Sequence, residues 1–134
     1  MSSPSSWPLS PNAIRYLLSQ KDVSRIRVHP LCSDLYPLSM GYYPEAKGHS
    51  MERQIHDDNL LIYCVDGQGS IWIEGRYHDL EKGGMVLLPR GCSHRYASDS
   101  DNPWSIFWLH FSGTAAAEYI AHLQWTLDTP VRSL

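Results

Sequence analysis

Short apolar runs separated by polar or glycine-containing breaks make up most of this chain, and they predict strands. From residue 25 onward the runs are rich in β-branched and aromatic residues, and Gly, Pro, Asp or Asn interrupts them roughly every 8 to 12 residues. The clearest runs are LLIYCV (60–65), SIWIE (70–74), RYHDL (76–80), MVLLP (85–89), HRYA (94–97) and WSIFWLHF (104–111). This rhythm predicts an all-β sandwich or barrel. The glycine-rich break at residues 66–69 supplies the positive φ that hairpin turns need, so we expect antiparallel neighbours there.

Both ends of the chain have a different pattern. Residues 1–8 are rich in Ser and Pro and predict a flexible arm. Ser10 followed by Pro11 is typical of a helix start, which predicts a short helix over residues 12–20. Beyond Gly113 the apolar positions follow helical spacing at Ala116, Tyr119, Ile120 and Leu123. The chain therefore divides into an arm with a short helix (1–20), a barrel (21–113) and a closing amphipathic helix (114–134).

The spacing around His94 indicates a tight bend between two strands. Gly83, Pro89 and Gly91 precede this histidine at fixed intervals, and Pro-x-Gly reverses the chain because glycine adopts positive φ. Side chains alternate along a strand, so His94 and Tyr96 share one face. The later run places four side chains on one face by the same rule: Trp104, Ile106, Trp108 and His110.

Composition and charge narrow the classes of function. The 134 residues are 43% hydrophobic and carry a net charge of -3, so the chain fits one globular domain without a positive field for nucleic acid. Three widely spaced cysteines, with no C-x-x-C pair, favour reduced thiols. The sequence contains no signal peptide and no apolar run of membrane-spanning length. We therefore expect a soluble, cytoplasmic protein with no membrane partner.

The bend before His94 resembles the second motif of the cupin superfamily, G-x5-P-x-G-x2-H, at every fixed position. The asparagine that follows in that motif is replaced here by Ser98. The first motif, which supplies two histidines and a glutamate in metal-dependent members, is matched only by His56, because Gln54 stands at the first histidine position and no glutamate follows at the motif's distance. A catalytic metal of this kind needs about three protein ligands, so we expect no metal and no other cofactor.

A longer stretch, residues 42–113, resembles the amino-terminal effector-binding domain of AraC-type transcription regulators. The segments GQG, LLPRGCSHRY and WSIFWLHFSG carry the resemblance together. It implies a mainly β, cupin-like double-stranded β-helix (jelly-roll) barrel, with a short N-terminal helix and a C-terminal helix that starts the linker. It also implies a small-molecule effector, often a sugar or related polar metabolite, a homodimer, and DNA binding through a separate helix-turn-helix domain. The sequence ends at Leu134, where linker helices would begin, so we expect a longer regulator.

The same resemblance implies the ligand-binding residues. In sugar-responsive members an arginine, a tyrosine and a tryptophan line the pocket, and the matching positions are Arg53, Tyr96 and Trp108. His94 and His110 lie on the same predicted faces and complete the predicted ligand-binding set. The alternative is that Tyr96 and Trp108 fill the core, that His94 bonds a backbone carbonyl and that Arg53 is solvated. Four other histidines stand in or beside polar segments and are predicted at the surface: His29, His49, His78 and His122.

The hypothesis that follows is a non-catalytic effector-sensing and dimerisation domain, in which ligand binding repositions the N-terminal arm. Ile106 stands where a polar side chain would help bind sugar hydroxyls, which disfavours a simple sugar. No serine, cysteine or carboxylate pair has the setting of a catalytic group, so no catalytic residues are predicted. The intact motif around His94 keeps open a metal-dependent cupin enzyme, such as an isomerase or dioxygenase. A third possibility is a dimerisation module with a filled barrel.

Overall fold

Two antiparallel β-sheets pack face to face in the computed structural model, which describes residues 2–3 and 9–134. Strands are numbered in chain order. In spatial order, one sheet contains β1 (Ser2–Ser3), β4 (Ser50–Arg53), β9 (His94–Ser98), β6 (Gln68–Ile73) and β7 (Arg76–Glu81). The other contains β11 (Val131–Ser133), β8 (Gly84–Leu88), β5 (Asn59–Asp66), β10 (Ser105–Ser112), β3 (Tyr36–Tyr43) and β2 (Ile14–Leu17). The strands predicted between residues 60 and 111 are confirmed, and so is the mainly β class.

The chain crosses between the sheets after β5, so the hairpin predicted at residues 66–69 is wrong. Gly67 does take positive φ, at 71°. However, β5 pairs with β8 and β10, whereas β6 pairs with β7 and β9 in the other sheet. A local turn signal does not distinguish a hairpin from a crossover, because both need the same backbone freedom. The next turn does close a hairpin between β6 and β7, with Glu74 and Gly75 both at positive φ.

The helix predicted over residues 12–20 is wrong. Residues 14–17 form β2, which pairs with β3, and the N-terminal helix α1 follows at Gln20–Arg27. Its N-cap is Ser19, whose hydroxyl accepts a hydrogen bond from the Asp22 amide at 3.1 Å. A closing helix is present as α2, but it covers only Ala116–His122, and the predicted extent of 114–134 is wrong because Val131–Ser133 form β11, which pairs with β8. The predicted flexibility of residues 1–8 concerns mainly residues 1 and 4–8, which lie outside those described.

The core fills the space between the sheets around one enclosed tryptophan. Trp104 is 0% exposed, and its ring occupies the space above Gly69, where a Cβ atom would lie 2.1 Å from Cε3. Close packing of this kind makes a core intolerant of added volume. The core includes aliphatic side chains that also form the inner wall of a cavity, namely Leu60, Ile62 and Ile106. Side chains therefore fill the barrel around Trp104, and Leu60, Ile62 and Ile106 separate this packed core from the cavity.

Candidate functional site

A cavity of about 330 Å³ opens between the two sheets. Buried aliphatic side chains form part of its wall, and the rest combines polar, aromatic and cationic groups with the less buried Leu9, Leu17 and Met51. β2 contributes Arg15 and Leu17, whereas Ile14 and Tyr16 of the same strand lie on the outer face of the sheet beside Phe107. A partly apolar hollow with a few polar groups is typical of small-molecule sites. The barrel is therefore open, and the possibility of a completely filled barrel is wrong.

Arg53, the last residue of β4, is the charged group most deeply placed in the cavity. It is 9% exposed, and its Nη1 lies 3.1 Å from His94 Nε2 and donates to the Tyr96 hydroxyl at 3.3 Å. The strand register explains the first contact, because Arg53 lies directly opposite His94 on β9. Since guanidinium is always protonated, it can only donate, so His94 Nε2 is the acceptor. Both partners are neutral, and no ion pair of Arg53 occurs within the described part of the chain.

The structure places His94 behind Arg53, and the cavity wall does not include it. The histidine is 3% exposed, and burial lowers its pKa to about 3, with the charges of His56, Arg53 and His110 as further causes. It therefore stays neutral and holds the guanidinium in place. The other four predicted ligand-binding residues, Arg53, Tyr96, Trp108 and His110, do line the cavity.

Two aromatic side chains of the predicted set line the cavity from opposite sheets, Tyr96 from β9 and Trp108 from β10. Tyr96 is 4% exposed, and burial raises the pKa of its hydroxyl. Trp108 is partly buried and packs 5.4 Å from Tyr43, centroid to centroid. Its ring lies across Gly41, where a Cβ atom would approach Trp108 Cζ2 to 2.5 Å. Gly41 is therefore required for Trp108 to lie against β3.

His49 corrects a prediction of surface exposure. It is 4% exposed, lines the cavity, and accepts a hydrogen bond from Trp104 Nε1 at 3.2 Å through Nδ1. Burial, and secondarily the charge of Arg53, lowers its pKa to about 4. The polar residues around His49 predicted exposure. The chain turns at Gly48, which takes a φ of 84°, and the His49 side chain is buried. His29 and His122 are exposed as predicted, and His78 is half-buried.

A second polar cluster joins two histidines through one carboxylate. Asp58 Oδ1 lies 2.8 Å from His56 Nε2 and 2.9 Å from His110 Nδ1. Burial alone would raise the pKa of Asp58, but hydrogen bonds from His110 and His56 outweigh it and hold the pKa well below its usual range. One ligand atom from each residue lies within 4.8 Å of the others, a set that can hold a divalent metal ion.

Sequence reasoning missed Asp58 because it searched for a glutamate at the cupin spacing. It also missed Arg15, because residues 12–20 were assigned to a helix. The segment Ile14–Leu17 has no alternation of apolar and polar residues, so its sequence carried no clear strand signal.

A two-sheet β-barrel with a partly polar cavity of this size is the architecture typical of small-molecule-binding domains. The profile of the AraC-like ligand binding domain matches residues 36–133, and the chain belongs to this family. A solved cupin 2 conserved barrel domain protein from Salinispora arenicola has a TM-score of 0.53 and 15% identity, covering 87% of this chain and 90% of that chain. The predicted family and fold class are therefore confirmed.

Of two curated relatives, one is named as a regulatory protein and the other as an enzyme. The MmsAB operon regulatory protein of Pseudomonas aeruginosa is 41% identical over 136 residues, which cover 98% of this chain and 44% of that protein. Acireductone dioxygenase 1 of Oryza sativa subsp. japonica is 29% identical over 105 residues, which cover 72% of this chain and 52% of that protein. The chain thus spans about half or less of these relatives. No described helix is long and apolar enough to cross a membrane.

Proposed function

We propose that this chain is the effector-sensing domain of a bacterial AraC-type transcription regulator and binds a small polar metabolite, without catalysis, in the cavity. The observation that carries the proposal is the cavity itself, in which Arg53 provides hydrogen-bond donors beside the Tyr96 and Trp108 rings. Aromatic rings pack on apolar parts of a metabolite while a guanidinium binds its oxygens. The whole regulator acts in the cytoplasm and contacts DNA through another domain.

The ligand signal passes through the N-terminal strand. β2 is the edge strand of its sheet and contributes Arg15 and Leu17 to the cavity. A ligand that contacts these side chains stabilises the docked position of β2 relative to any other position. That difference in binding free energy is what a shift between two states requires.

The regulator forms a homodimer in this proposal. Tyr119 of helix α2 and Leu123, the residue that caps its C-terminus, are each 53% exposed. An exposed apolar stripe of this kind suits a helix partner in a second subunit. Light scattering on the 134-residue chain tests this. A dimer dissociated by Tyr119→Lys supports the proposal, and a monomer at all concentrations contradicts it.

Ligand binding is tested by thermal stability of the purified chain with a panel of sugars, sugar acids and small hydroxy acids. A bound ligand raises the melting temperature, since only the folded state binds. Trp108→Ala should abolish the shift. Phe107→Ala is the matched control, because Phe107 is the neighbour on β10 and faces outward with 51% exposure. No shift with any compound in a broad panel contradicts the proposal.

A second candidate is a metal-dependent cupin enzyme, such as an isomerase or dioxygenase. The His56, Asp58 and His110 cluster and the acireductone dioxygenase relative favour it. These three side chains would hold the ion, which would supply Lewis-acid or redox chemistry when bound. Elemental analysis after dialysis separates the candidates. Stoichiometric Fe, Mn, Ni or Zn, lost in Asp58→Asn and kept in the exposed control His122→Gln, supports the enzyme.

A further inference from the structure

We propose that the effector is a small carboxylate, and that Arg53 and Arg15 together hold its negative charge. This inference rests on the proposed function and specifies the ligand class for the same cavity. It also assigns Arg15 of β2 as a specificity-determining residue.

The charges around the cavity are unbalanced. Two arginines line it, and no acidic side chain does so among the described residues. The histidine that lines the cavity near Arg53, His49, stays neutral because burial and the charge of Arg53 lower its pKa to about 4. His110 also lines the cavity, but its Nδ1 is occupied by Asp58 at 2.9 Å. The wall therefore presents two positive charges that nothing in the wall neutralises.

The charge of Arg53 is less screened by solvent than that of Arg15, because Arg53 is buried. Its side chain is 9% exposed, and the two hydrogen bonds described for the guanidinium both involve Nη1. A guanidinium has five N–H donors in a planar fork, so donors remain for a ligand. Burying a cation without a counter-ion is unfavourable. A ligand carboxylate would remove most of that cost and match the fork in a bidentate pair, whereas a neutral sugar would leave the charge uncompensated.

Asp58 is an acidic residue close to Arg53, and two histidines hydrogen-bond to it. It lines an adjoining groove together with Arg53. Its Oδ1 accepts from His56 and His110, and no ion pair joins it to Arg53 within the described residues. The charge of Asp58 acts on His94 and Tyr96, but its oxygens are not paired with the guanidinium, so the remaining Arg53 donors are open to a ligand.

Arg15 adds a second charge at the exposed side of the cavity. It is an exposed residue of β2, and it lines the cavity with Leu17 from the same strand. Burial raises the pKa of the Tyr43 hydroxyl, and the positive charge of Arg15 offsets part of that rise. The remaining wall is aliphatic at Leu60 and Ile62. Cationic and aliphatic surfaces in one small hollow suit a carboxylate on a short carbon chain.

The experiment compares matched charged and neutral compounds on the 134-residue chain. Butyrate, 3-hydroxybutyrate and glycerate are each tested against the corresponding primary amide, with D-xylose and D-glucose as neutral polyols. Binding is measured by thermal shift and titration calorimetry. We expect at least one carboxylate to bind, and its amide to bind at least tenfold more weakly.

Two variants locate the charge. Arg53→Gln should weaken carboxylate binding at least tenfold, and Arg15→Gln should weaken it severalfold without unfolding risk, because Arg15 is exposed. Arg95→Gln is the control, since Arg95 is exposed on β9 and lies 3.9 Å above the Trp72 ring, away from the cavity. Its affinity should be unchanged.

The outcomes separate the two proposals. Stabilisation by the polyols, with none by the carboxylates, overturns the carboxylate inference and leaves the proposed function standing. Equal affinity for acid and amide, or carboxylate binding that survives both arginine variants, also overturns the inference. If no compound tested here, and no sugar or sugar acid of the earlier panel, binds the chain, both the carboxylate inference and the proposed function are overturned.

Discussion

Acid should destabilise this protein through two buried histidines, His49 and His94. Burial lowers the pKa of His49 to about 4, with Arg53 as a smaller cause. Burial also lowers the pKa of His94 to about 3, with His56, Arg53 and His110 adding to it. The two side chains are only 4% and 3% exposed. In the unfolded chain both return to a pKa of about 6.5.

The direction of these pKa shifts determines how the stability changes with pH. Each folded pKa lies below the unfolded value, so between the two values the unfolded chain binds more protons. The stabilisation is complete above about pH 6.5 and is lost as the pH falls toward 4. At pH 5 each histidine costs about 2 kcal/mol, because the pH is about 1.5 units below the unfolded pKa and one unit is worth about 1.4 kcal/mol. The pair costs about 4 kcal/mol, a large share of a typical stability of about 5–15 kcal/mol.

Urea denaturation at several pH values between 7.5 and 4.5 measures this loss. In His94→Gln the free energy of unfolding should depend on pH less steeply than in the wild type, by up to about 1.4 kcal/mol per pH unit between pH 6 and 4.5. The comparison uses slopes, so a lower absolute stability of the variant does not affect it. His122→Gln removes an exposed histidine and should leave the slope unchanged. A His94→Gln slope equal to that of the wild type would refute the reasoning.

Two further predictions concern the packing of the barrel. Gly69→Ala should lower the free energy of unfolding by about 1–3 kcal/mol in urea denaturation, because the new Cβ meets the enclosed ring of Trp104; unchanged stability would contradict the close packing. Iodoacetamide should label exposed Cys32 quickly in the native protein, whereas buried Cys64 and Cys92 should react only after unfolding. Burial raises the pKa of Cys92 to about 11, so mass spectrometry that finds Cys92 labelled as fast as Cys32 would disprove this.

The environment of Arg53 also bears on the proposed binding of an effector. Arg53 is held by neutral partners, His94 and the Tyr96 hydroxyl, so its position is set before a ligand arrives. A group that is already positioned costs less to order on binding. The arrangement on β4 and β9 is therefore suited to recognition by charge and shape, whichever member of the ligand class binds.

Local sequence patterns determined the strands and their faces. Alternation placed His94 and Tyr96 on one face of the strand and Arg95 on the other, and the structure has the first two buried and the third exposed. The strands predicted between residues 60 and 111 also formed as expected, because period-two patterns and turn residues act within a few residues of sequence. The family and the fold class were predictable from the same segment.

Only the tertiary structure decided which distant residues meet. Residues 14–17 form a strand because β3 offers a partner edge, a contact that outweighs their helical spacing. Asp58 reaches His110 across 52 positions, and His49 reaches Trp104 across 55. Contacts of this kind depend on the order of strands in each sheet, and no pattern within a single run encodes that order. The sequence alone therefore determined the strands between residues 60 and 111 and which of their side chains share a face, whereas sheet pairing decided the N-terminal strand, the cavity, its charges and its histidine clusters.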